Sequence, residues 1–346
     1  MDKKEPIRHH YIPQFILRRF VGEDGLLLYW DNKYGTLSKK STKSVFMNTS
    51  MYRSEEINAE NPVEVENNLS IFEQEIAPLF KDLNTLDNIT LTRKQMESLR
   101  IFLMLLSFRS DLRMKQYKDK RFDENTKEFL DEFKGDEDFE LFWKKEINKL
   151  SKCRSLEDIK NAKKVDLIIK TDFTNLLNGY YMTIVEARGQ DFIISDVYPT
   201  LEIFPLNDNV NIHLHFIYPI SPTRVILLNH IMFREIIQNK QSPEFKPMID
   251  VSRIKGNMVK EPKNRYKISP QYHTPDDEFV YRVTKIYEKD VAYVNTLLLN
   301  ETRNGFAFRQ SDRIEASISQ YNSNYRMFNK NNFDKLEQIL ENKKKE

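Results

Sequence analysis

The sequence predicts an α+β fold in which a helical central region packs against β segments from the N-terminus and from residues 180–230. Three changes of pattern along the chain lead to this prediction. Apolar residues form short blocks over the first 60 residues, recur at spacings of three and four from residue 62 to about residue 177, and return to short blocks after residue 180. For a chain of 346 residues we expect a single α+β domain over residues 1–320, followed by a C-terminal amphipathic helix and basic tail over residues 321–346.

The N-terminal β segments are indicated by apolar runs that lie next to glycine. The segment Gly25–Trp30 and the residues that follow Gly35 are typical of the two arms of a hairpin. A further short strand is expected within Val45–Tyr52.

The helical region is predicted to begin after Asn61, a capping residue that is followed by proline at the first helical position. A second helix is predicted to start at Thr92, because Thr92 and Gln95 have the spacing of a capping box, and to run to about Tyr117. Its centre is apolar nearly all round, which predicts a buried position. Charged amphipathic helices are expected over Glu124–Phe133, Phe139–Leu150 and Leu156–Leu177.

The last third of the chain mixes strands, a polar loop and two helices. Strands are predicted over Asp191–Ser195, Val210–Tyr218 and Arg224–Leu228. The polar stretch Lys240–His273 is expected to be rich in loops, and helices are expected over Phe279–Glu301 and Asn332–Lys345.

The composition excludes several classes of protein. Lys plus Arg is 54 and Asp plus Glu is 52, a net charge of +2, which disfavours nucleic-acid binding by overall basicity but allows a local basic groove. Hydrophobic residues make up 40% of the chain, enough to exclude wholesale disorder. A single cysteine, Cys153, excludes an internal disulfide and a thiolate zinc cage. Because the sequence contains no signal core and no long apolar run, we expect a cytoplasmic protein without a membrane partner.

The most distinctive motif lies near the N-terminus, where two of the six histidines, His9 and His10, are adjacent. Pro13 favours extended backbone before it, and the apolar residues that follow could anchor the segment as a turn of helix. Two interpretations are open. The segment is either an arm packed against the core, with a histidine bonded to backbone carbonyls, or part of an active site.

The motif resembles the opening of the family named domain of unknown function 4238, which has the pattern His-His-x-x-Pro-x-x-x-Leu-x-x-Phe. The matching residues are His9, His10, Pro13, Leu17 and Phe20, and Gln14 also fits the pattern. Further pieces resemble the family in the same order along the chain: a helix with Glu66 and Glu73, an apolar helix that ends at Arg109, a Phe-x-x-Ser-Asp segment that ends at Asp196, a Pro-x-Ser-Pro segment at Pro219–Pro222 and a late asparagine, Asn295. One departure is the turn after Asp196, which is one residue longer than in the family pattern.

The resemblance implies a fold and a set of polar positions, but no reaction. From these positions we select His9, His10, Gln14, Arg109, Asp196 and Asn295 as candidate catalytic residues and Glu66 and Glu73 as candidate ligands for Mg²⁺ or Mn²⁺. Glu66 and Glu73 are seven residues apart and lie on one helix face. Arg109 ends a helix that is predicted to be buried, so it needs an anionic partner, for which Glu66, Glu73 and Asp196 are the candidates.

Two hypotheses about function follow. In the first, the protein is a phosphodiester hydrolase that acts on nucleic acid, with histidine as base or metal ligand, carboxylates on a metal ion and arginine neutralising the developing charge. The scattered occurrence of similar proteins suits a bacterial defence or mobile-element role. In the alternative, the same polar pocket belongs to a non-catalytic module that binds a nucleotide or a partner protein. The same groups could also form an ion-pair network that only fixes the helices.

Two weaker patterns complete the set of candidates. His213 and His215 share one face of a predicted strand and could contribute two ligands to a transition metal. The segment Arg113–Phe122 combines basic and aromatic residues, which is compatible with a nucleic-acid-binding face or with a solvated helix end.

Overall fold

The computed structural model describes residues 8–162, 179–207, 210–230, 258–259, 277–324 and 331–343. The helices are α1 (Gln14–Leu17), α2 (Glu64–Thr85), α3 (Arg93–Phe108), α4 (Asp111–Lys118), α5 (Glu124–Lys134), α6 (Phe139–Leu150), α7 (Leu156–Asn161), α8 (Glu288–Glu301), α9 (Glu315–Asn324) and α10 (Asp334–Lys343). The strands are β1 (Arg8–His10), β2 (Leu27–Asp31), β3 (Thr36–Lys40), β4 (Met47–Thr49), β5 (Asn88–Thr92), β6 (Tyr180–Ala187), β7 (Ile194–Ser195), β8 (Thr200–Asn207), β9 (Val210–Ser221), β10 (Arg224–His230), β11 (Met258–Val259), β12 (Glu278–Arg282), β13 (Thr284–Ile286) and β14 (Gly305–Phe308). The predicted α+β class is confirmed.

Within the described residues the strands form four sheets. The largest has the order β13-β6-β10-β9-β8, and β13 runs parallel to β6 while the other pairs are antiparallel. A four-stranded sheet has the order β3-β2-β14-β7, a three-stranded sheet the order β11-β12-β5, and β1 pairs with β4. The predicted N-terminal hairpin is therefore present as β2–β3, and β14 joins it to β7 from the second β region.

The five-stranded sheet separates two hydrophobic cores because successive side chains of a strand point to opposite faces. On β10, Ile226 and Leu228 pack in the core that contains the central helices, whereas Val225 and Leu227 pack in the core that contains α8, α9 and α10. Burial on both faces explains why the sequences of these strands are continuous apolar runs.

Helix α3 is buried as predicted, and its first turn has the predicted capping box. The Thr92 Oγ1 accepts a hydrogen bond from the Gln95 backbone N–H at 3.2 Å, and the Gln95 Oε1 accepts one from the Thr92 N–H at 2.9 Å. The helix was expected to run to about Tyr117, which is wrong. It ends at Phe108, and Ser110 caps the new helix α4 through the N–H of Arg113 at 3.3 Å.

Three other element predictions need correction. Helix α2 begins at Glu64 with Val63 at its N-cap position and no side-chain cap, so Asn61 does not cap it and proline is not its first residue. The start of the predicted helix Phe279–Glu301 is β12, because Phe279 pairs with Leu91 and Tyr281 with Ile89 on β5. Long-range pairing of aromatic and β-branched residues overrides the helical spacing here. The predicted strand Asp191–Ser195 is reduced to Ile194–Ser195, since the Ile193 N–H bonds the side chain of Asn295 instead of a neighbouring strand.

Several predictions extend outside the described residues. The predicted helix Leu156–Leu177 is shorter than expected: it ends at Asn161, because Ala162 is not helical, and residues 163–177 lie outside the described part. The polar stretch Lys240–His273 is described only at β11. The predicted C-terminal helix is present over Asp334–Lys343. None of the described helices is long and apolar enough to cross a lipid bilayer.

Candidate functional site

Strand β1 places the two histidines near Arg109, the residue that follows the end of α3. Pairing with β4 places His9 opposite Asn48 and His10 opposite Met47. His9 is fully buried, whereas His10 is half-buried. The alternation of side chains along the strand therefore points the two imidazoles in different directions.

Arg109 lies at the centre of this site, with only 1% of its surface exposed. One Nη donates to the Glu73 Oε1 at 2.7 Å and to the His10 carbonyl oxygen at 3.3 Å. Its Nε is buried and has no hydrogen-bond partner among the described residues. Burial alone would lower the pKa of Arg109, but the negative charges of Glu73 and Glu66 outweigh it and raise the pKa. The prediction that Arg109 is buried and paired with a carboxylate is confirmed.

His9 is held by Tyr52, a residue that the sequence reasoning did not select. The His9 Nδ1 accepts a hydrogen bond from the Tyr52 backbone N–H at 2.9 Å, and the two rings stack with centroids 5.6 Å apart. The Tyr52 hydroxyl donates to the Arg109 carbonyl oxygen at 2.8 Å. Since Nδ1 accepts, the neutral ring carries its proton on Nε2. The sequence signal that could have found Tyr52 is its place as the aromatic residue at the end of the predicted strand segment Val45–Tyr52.

His10 and Gln14 bond to each other and to backbone. The His10 Nε2 lies 3.1 Å from the Thr42 carbonyl oxygen, which can only accept, so Nε2 is the donor. The Gln14 amide nitrogen lies 3.4 Å from the His10 Nδ1. Burial lowers the pKa of His10, and the bond to Thr42 opposes that shift only in part. Both ring nitrogens of His10 are thus engaged within the protein.

Glu66 is the carboxyl group of this site whose pKa is raised towards neutral pH. It lies on α2, seven residues before Glu73, and makes no hydrogen bond to any described residue. Burial raises its pKa from 4.5 to about 7, since the attraction of Arg109 only partly offsets burial and the repulsion of Glu73. Glu66 therefore exchanges a proton near neutral pH. We call His9, His10, Tyr52, Glu66, Glu73 and Arg109 the Arg109 cluster.

Asp196 makes a different set of contacts, at the end of β7. Its carboxylate accepts hydrogen bonds from the backbone N–H groups of Arg303 at 2.9 Å and Asn304 at 2.8 Å, and from the Asn304 amide at 2.7 Å. Burial raises the pKa of Asp196, and these hydrogen bonds offset the shift in part. Ser195 ends a strand, as predicted. No hydrogen bond in the described residues joins Asp196 to Arg109 or to the histidines.

Asn295 lies in the second core, apart from the Arg109 cluster. Its Oδ1 accepts from the Ile193 N–H at 3.1 Å, and its amide nitrogen donates to the Asp191 carbonyl oxygen and the Ser317 Oγ, both at 2.8 Å. Asp191 in turn accepts from the guanidinium groups of Arg309 and Arg313. We call Gln190, Asp191, Asn295, Arg309, Arg313 and Ser317 the Asn295 cluster.

The structure thus brings together some of the predicted site residues and separates others. His10 lies beside Arg109, and Glu66, Glu73 and Gln14 are close to them. Asp196 and Asn295 have their own partners. Among the described residues, no three His, Cys, Asp or Glu side chains are placed to hold a metal ion together. The metal-binding prediction for Glu66 and Glu73 stays a prediction, as does that for His213 and His215, because the His213 side chain lies outside the described residues.

A family profile matches residues 8–313, which is most of the chain. The chain belongs to the family described as protein of unknown function (DUF4238). The match includes every predicted site residue of the DUF4238 chain, from His9 to Asn295. Comparison with curated proteins and with solved structures gives no match.

Proposed function

We propose that this protein hydrolyses phosphodiester bonds in nucleic acid, with the carboxyl group of Glu66 as the proton acceptor. The observation that carries the proposal is the position of the Glu66 carboxyl, which is half-buried beside the charges of Arg109 and Glu73 and which no described residue hydrogen-bonds. Burial there raises its pKa to about 7. A general base is most efficient when its pKa lies near the working pH, and burial of a carboxyl group beside other charges is how proteins reach that value.

In this proposal Glu66 takes a proton from a water molecule as the water oxygen bonds to phosphorus. The phosphorus–oxygen bond on the opposite side breaks, the departing oxygen takes its proton from solvent, and Glu66 later releases its proton to solvent. Arg109 is a positioning residue: its charge limits the rise in the pKa of Glu66, and its ion pair with Glu73 fixes the two helices. The Nε of Arg109 is a further donor that could bond an oxygen of Glu66 or of the ligand after a small rearrangement.

Mg²⁺ or Mn²⁺ on Glu66 and Glu73 is the proposed cofactor of an alternative arrangement, in which Glu66 is a metal ligand and not the proton acceptor. The residues present fit such an ion incompletely. Glu73 is already paired with Arg109, and His10 has both ring nitrogens engaged. Two carboxylates would leave most of the ligand positions of such a cation to water and substrate. No step above is therefore assigned to a metal ion.

The alternative is a non-catalytic module that binds a nucleotide or a partner protein through this polar pocket. The contacts of His10 with Thr42 and Gln14 favour it, because both side chains are satisfied as structural groups. As proposals, we place either activity in the cytoplasm of a bacterial cell and in a defence or mobile-element context.

The deciding experiment compares Glu66→Gln with Glu75→Gln, a matched substitution on the exposed side of α2. End-labelled single-stranded and duplex DNA and RNA are incubated with each protein, with Mg²⁺, with Mn²⁺ and with EDTA. We expect cleavage that rises with pH through 7, falls by about 10²-fold or more in Glu66→Gln and is unchanged in Glu75→Gln. Cleavage of no substrate under any condition by a folded protein would favour the binding module. Cleavage that is equal in the two variants would remove Glu66 from the reaction.

A further inference from the structure

A groove lies along α4, and neither Arg109 nor Glu73 lines it. Two cavities of about 370 and 540 Å³ adjoin there, and both are lined by Leu112, Lys115, Arg121, Val197 and Arg303. One wall is α4 and the loop after it, and the other is the turn 196–199 together with the residues that Asp196 binds. We call this surface the α4 groove.

Basic side chains outnumber acidic side chains in the α4 groove. Five basic side chains line it, namely Arg113, Lys115, Lys118, Arg121 and Arg303, against three carboxylates, Asp111, Asp119 and Asp196. The carboxylates have partners within the protein: Asp111 bonds Asn48 and Lys115, Asp119 bonds Arg121, and Asp196 bonds the loop 303–304.

Three of the basic side chains have no carboxylate partner among the described residues. Lys118 and Arg303 are solvent-exposed, and Arg113 donates only to the neutral Gln116 amide at 2.8 Å. Because their positive charges are not neutralised locally, they are available to an anionic ligand.

The groove also has an apolar floor. Leu112, Val197 and Leu201 are half-buried and line it between the basic side chains. A ligand that fits must therefore present several negative charges together with flat or apolar groups. Duplex DNA keeps its bases stacked inside, whereas a single strand exposes its bases beside the phosphates.

We propose that the α4 groove binds single-stranded nucleic acid, with phosphates against Lys118, Arg303 and Arg113 and sugars or bases against Leu112, Val197 and Leu201. This surface is separate from Glu66, so it holds whether or not Glu66 is catalytic. If the proposed hydrolysis is correct, the groove also defines its substrate as a single strand.

The test measures binding of the full chain to labelled oligo-dT, oligo-U and a duplex of equal length by fluorescence anisotropy over a range of salt. The groove variant is Lys118→Glu with Arg303→Glu. The control is Lys81→Glu with Arg282→Glu, two exposed basic residues outside the groove whose replacement changes the net charge equally.

We expect the single strands to bind more tightly than the duplex, with affinity that falls as salt rises. The groove variant should bind at least about tenfold more weakly, and the slope of log K against log salt should fall by about 1.4, or 0.7 for each of two lost phosphate contacts. The control variant should change affinity by less than about twofold, because long-range charge effects are screened by salt.

Four results would overturn the proposal: no binding by the wild type, equal losses in the groove and control variants, tighter binding to the duplex, or equal competition by polyglutamate, which would indicate an acidic protein as partner. Because Arg303 lies in the loop that Asp196 holds, through its own backbone N–H, Lys118→Gln with Arg303→Gln serves as a milder variant, with thermal unfolding as the check of folding. The Glu66→Gln protein should bind single strands normally, which separates failure of the groove from failure of the proposed hydrolysis.

Discussion

The Arg109 cluster and the Asn295 cluster contain similar residues, but they differ in how completely their polar atoms are bonded. In the Asn295 cluster the amide of Asn295 makes three hydrogen bonds, and Ser317 donates onward to Gln190 at 2.6 Å. In the Arg109 cluster, neither the Glu66 carboxyl nor the Arg109 Nε makes a hydrogen bond to any of the described residues. A fully bonded polar group fixes the fold, whereas an incompletely bonded one retains the capacity to exchange a proton or bind a ligand.

The largest expected effect is that of Arg109→Ala. Removal of the guanidinium leaves Glu73 without its partner and opens a cavity, so the free energy of unfolding should fall by about 3–5 kcal/mol. Denaturant unfolding measures this loss. Lys39→Ala, which breaks an exposed ion pair with Asp24, is the control and should change stability little. A neutral result for Arg109→Ala would contradict the pairing on which the Arg109 cluster rests.

A somewhat smaller loss in the free energy of unfolding is expected for Asn295→Ala. Three hydrogen bonds disappear and the Ile193 N–H is left buried, which should cost about 2–4 kcal/mol in denaturant unfolding. Asn300→Ala on the same helix should cost much less, because among the described residues the Asn300 amide bonds only its neighbour Glu301. If Asn295→Ala abolished cleavage or binding while the protein stayed as stable as wild type, the purely structural role of this cluster would be wrong.

The pH dependence of stability should reveal Glu66. Its pKa in the folded protein, about 7, is above the ordinary 4.5, so the folded state holds the proton more tightly than the unfolded chain. This contribution to stability is complete below pH 4.5 and is lost as the pH rises through 7. Relative to wild type, Glu66→Gln should gain about 1–3 kcal/mol between pH 5 and pH 8. The measurement is denaturant unfolding at several pH values, and parallel curves for the two proteins would exclude a raised pKa.

For His10, stability should change with pH in the opposite direction to that for Glu66, and by the smallest amount of these predictions. Because burial lowers its pKa below 6.5 in the folded protein, it contributes stability above pH 6.5 that is lost as the pH falls through the lower folded value. His10→Gln should remove this acid-side loss, and the change between pH 7 and pH 5 should be smaller than that caused by Glu66→Gln. Titration of the His10 ring by NMR provides an independent check, and a pKa at or above 6.5 would contradict the prediction.

The sequence by itself determined the local elements with strong signals. The capping box at Thr92, the buried helix α3, the hairpin β2–β3 and the helix after residue 334 follow from spacing, capping residues and apolar periodicity. The burial of Arg109 and its need for an anion were also predictable, because an unpaired charge at the end of an apolar helix is too costly to leave buried.

The tertiary structure decided which polar residues meet. Glu73, and not Asp196, is the partner of Arg109, and Asp196 and Asn295 hold other parts of the chain. It also decided that residues 278–286 are strands, since β12 gains its partner from β5 almost 190 residues earlier in the chain. Hydrogen bonds and desolvation depend on distances between residues remote in sequence, and no local pattern contains those distances. The pKa of Glu66 and the charge excess of the α4 groove arise from the same cause: burial and pairing are properties of the packed molecule.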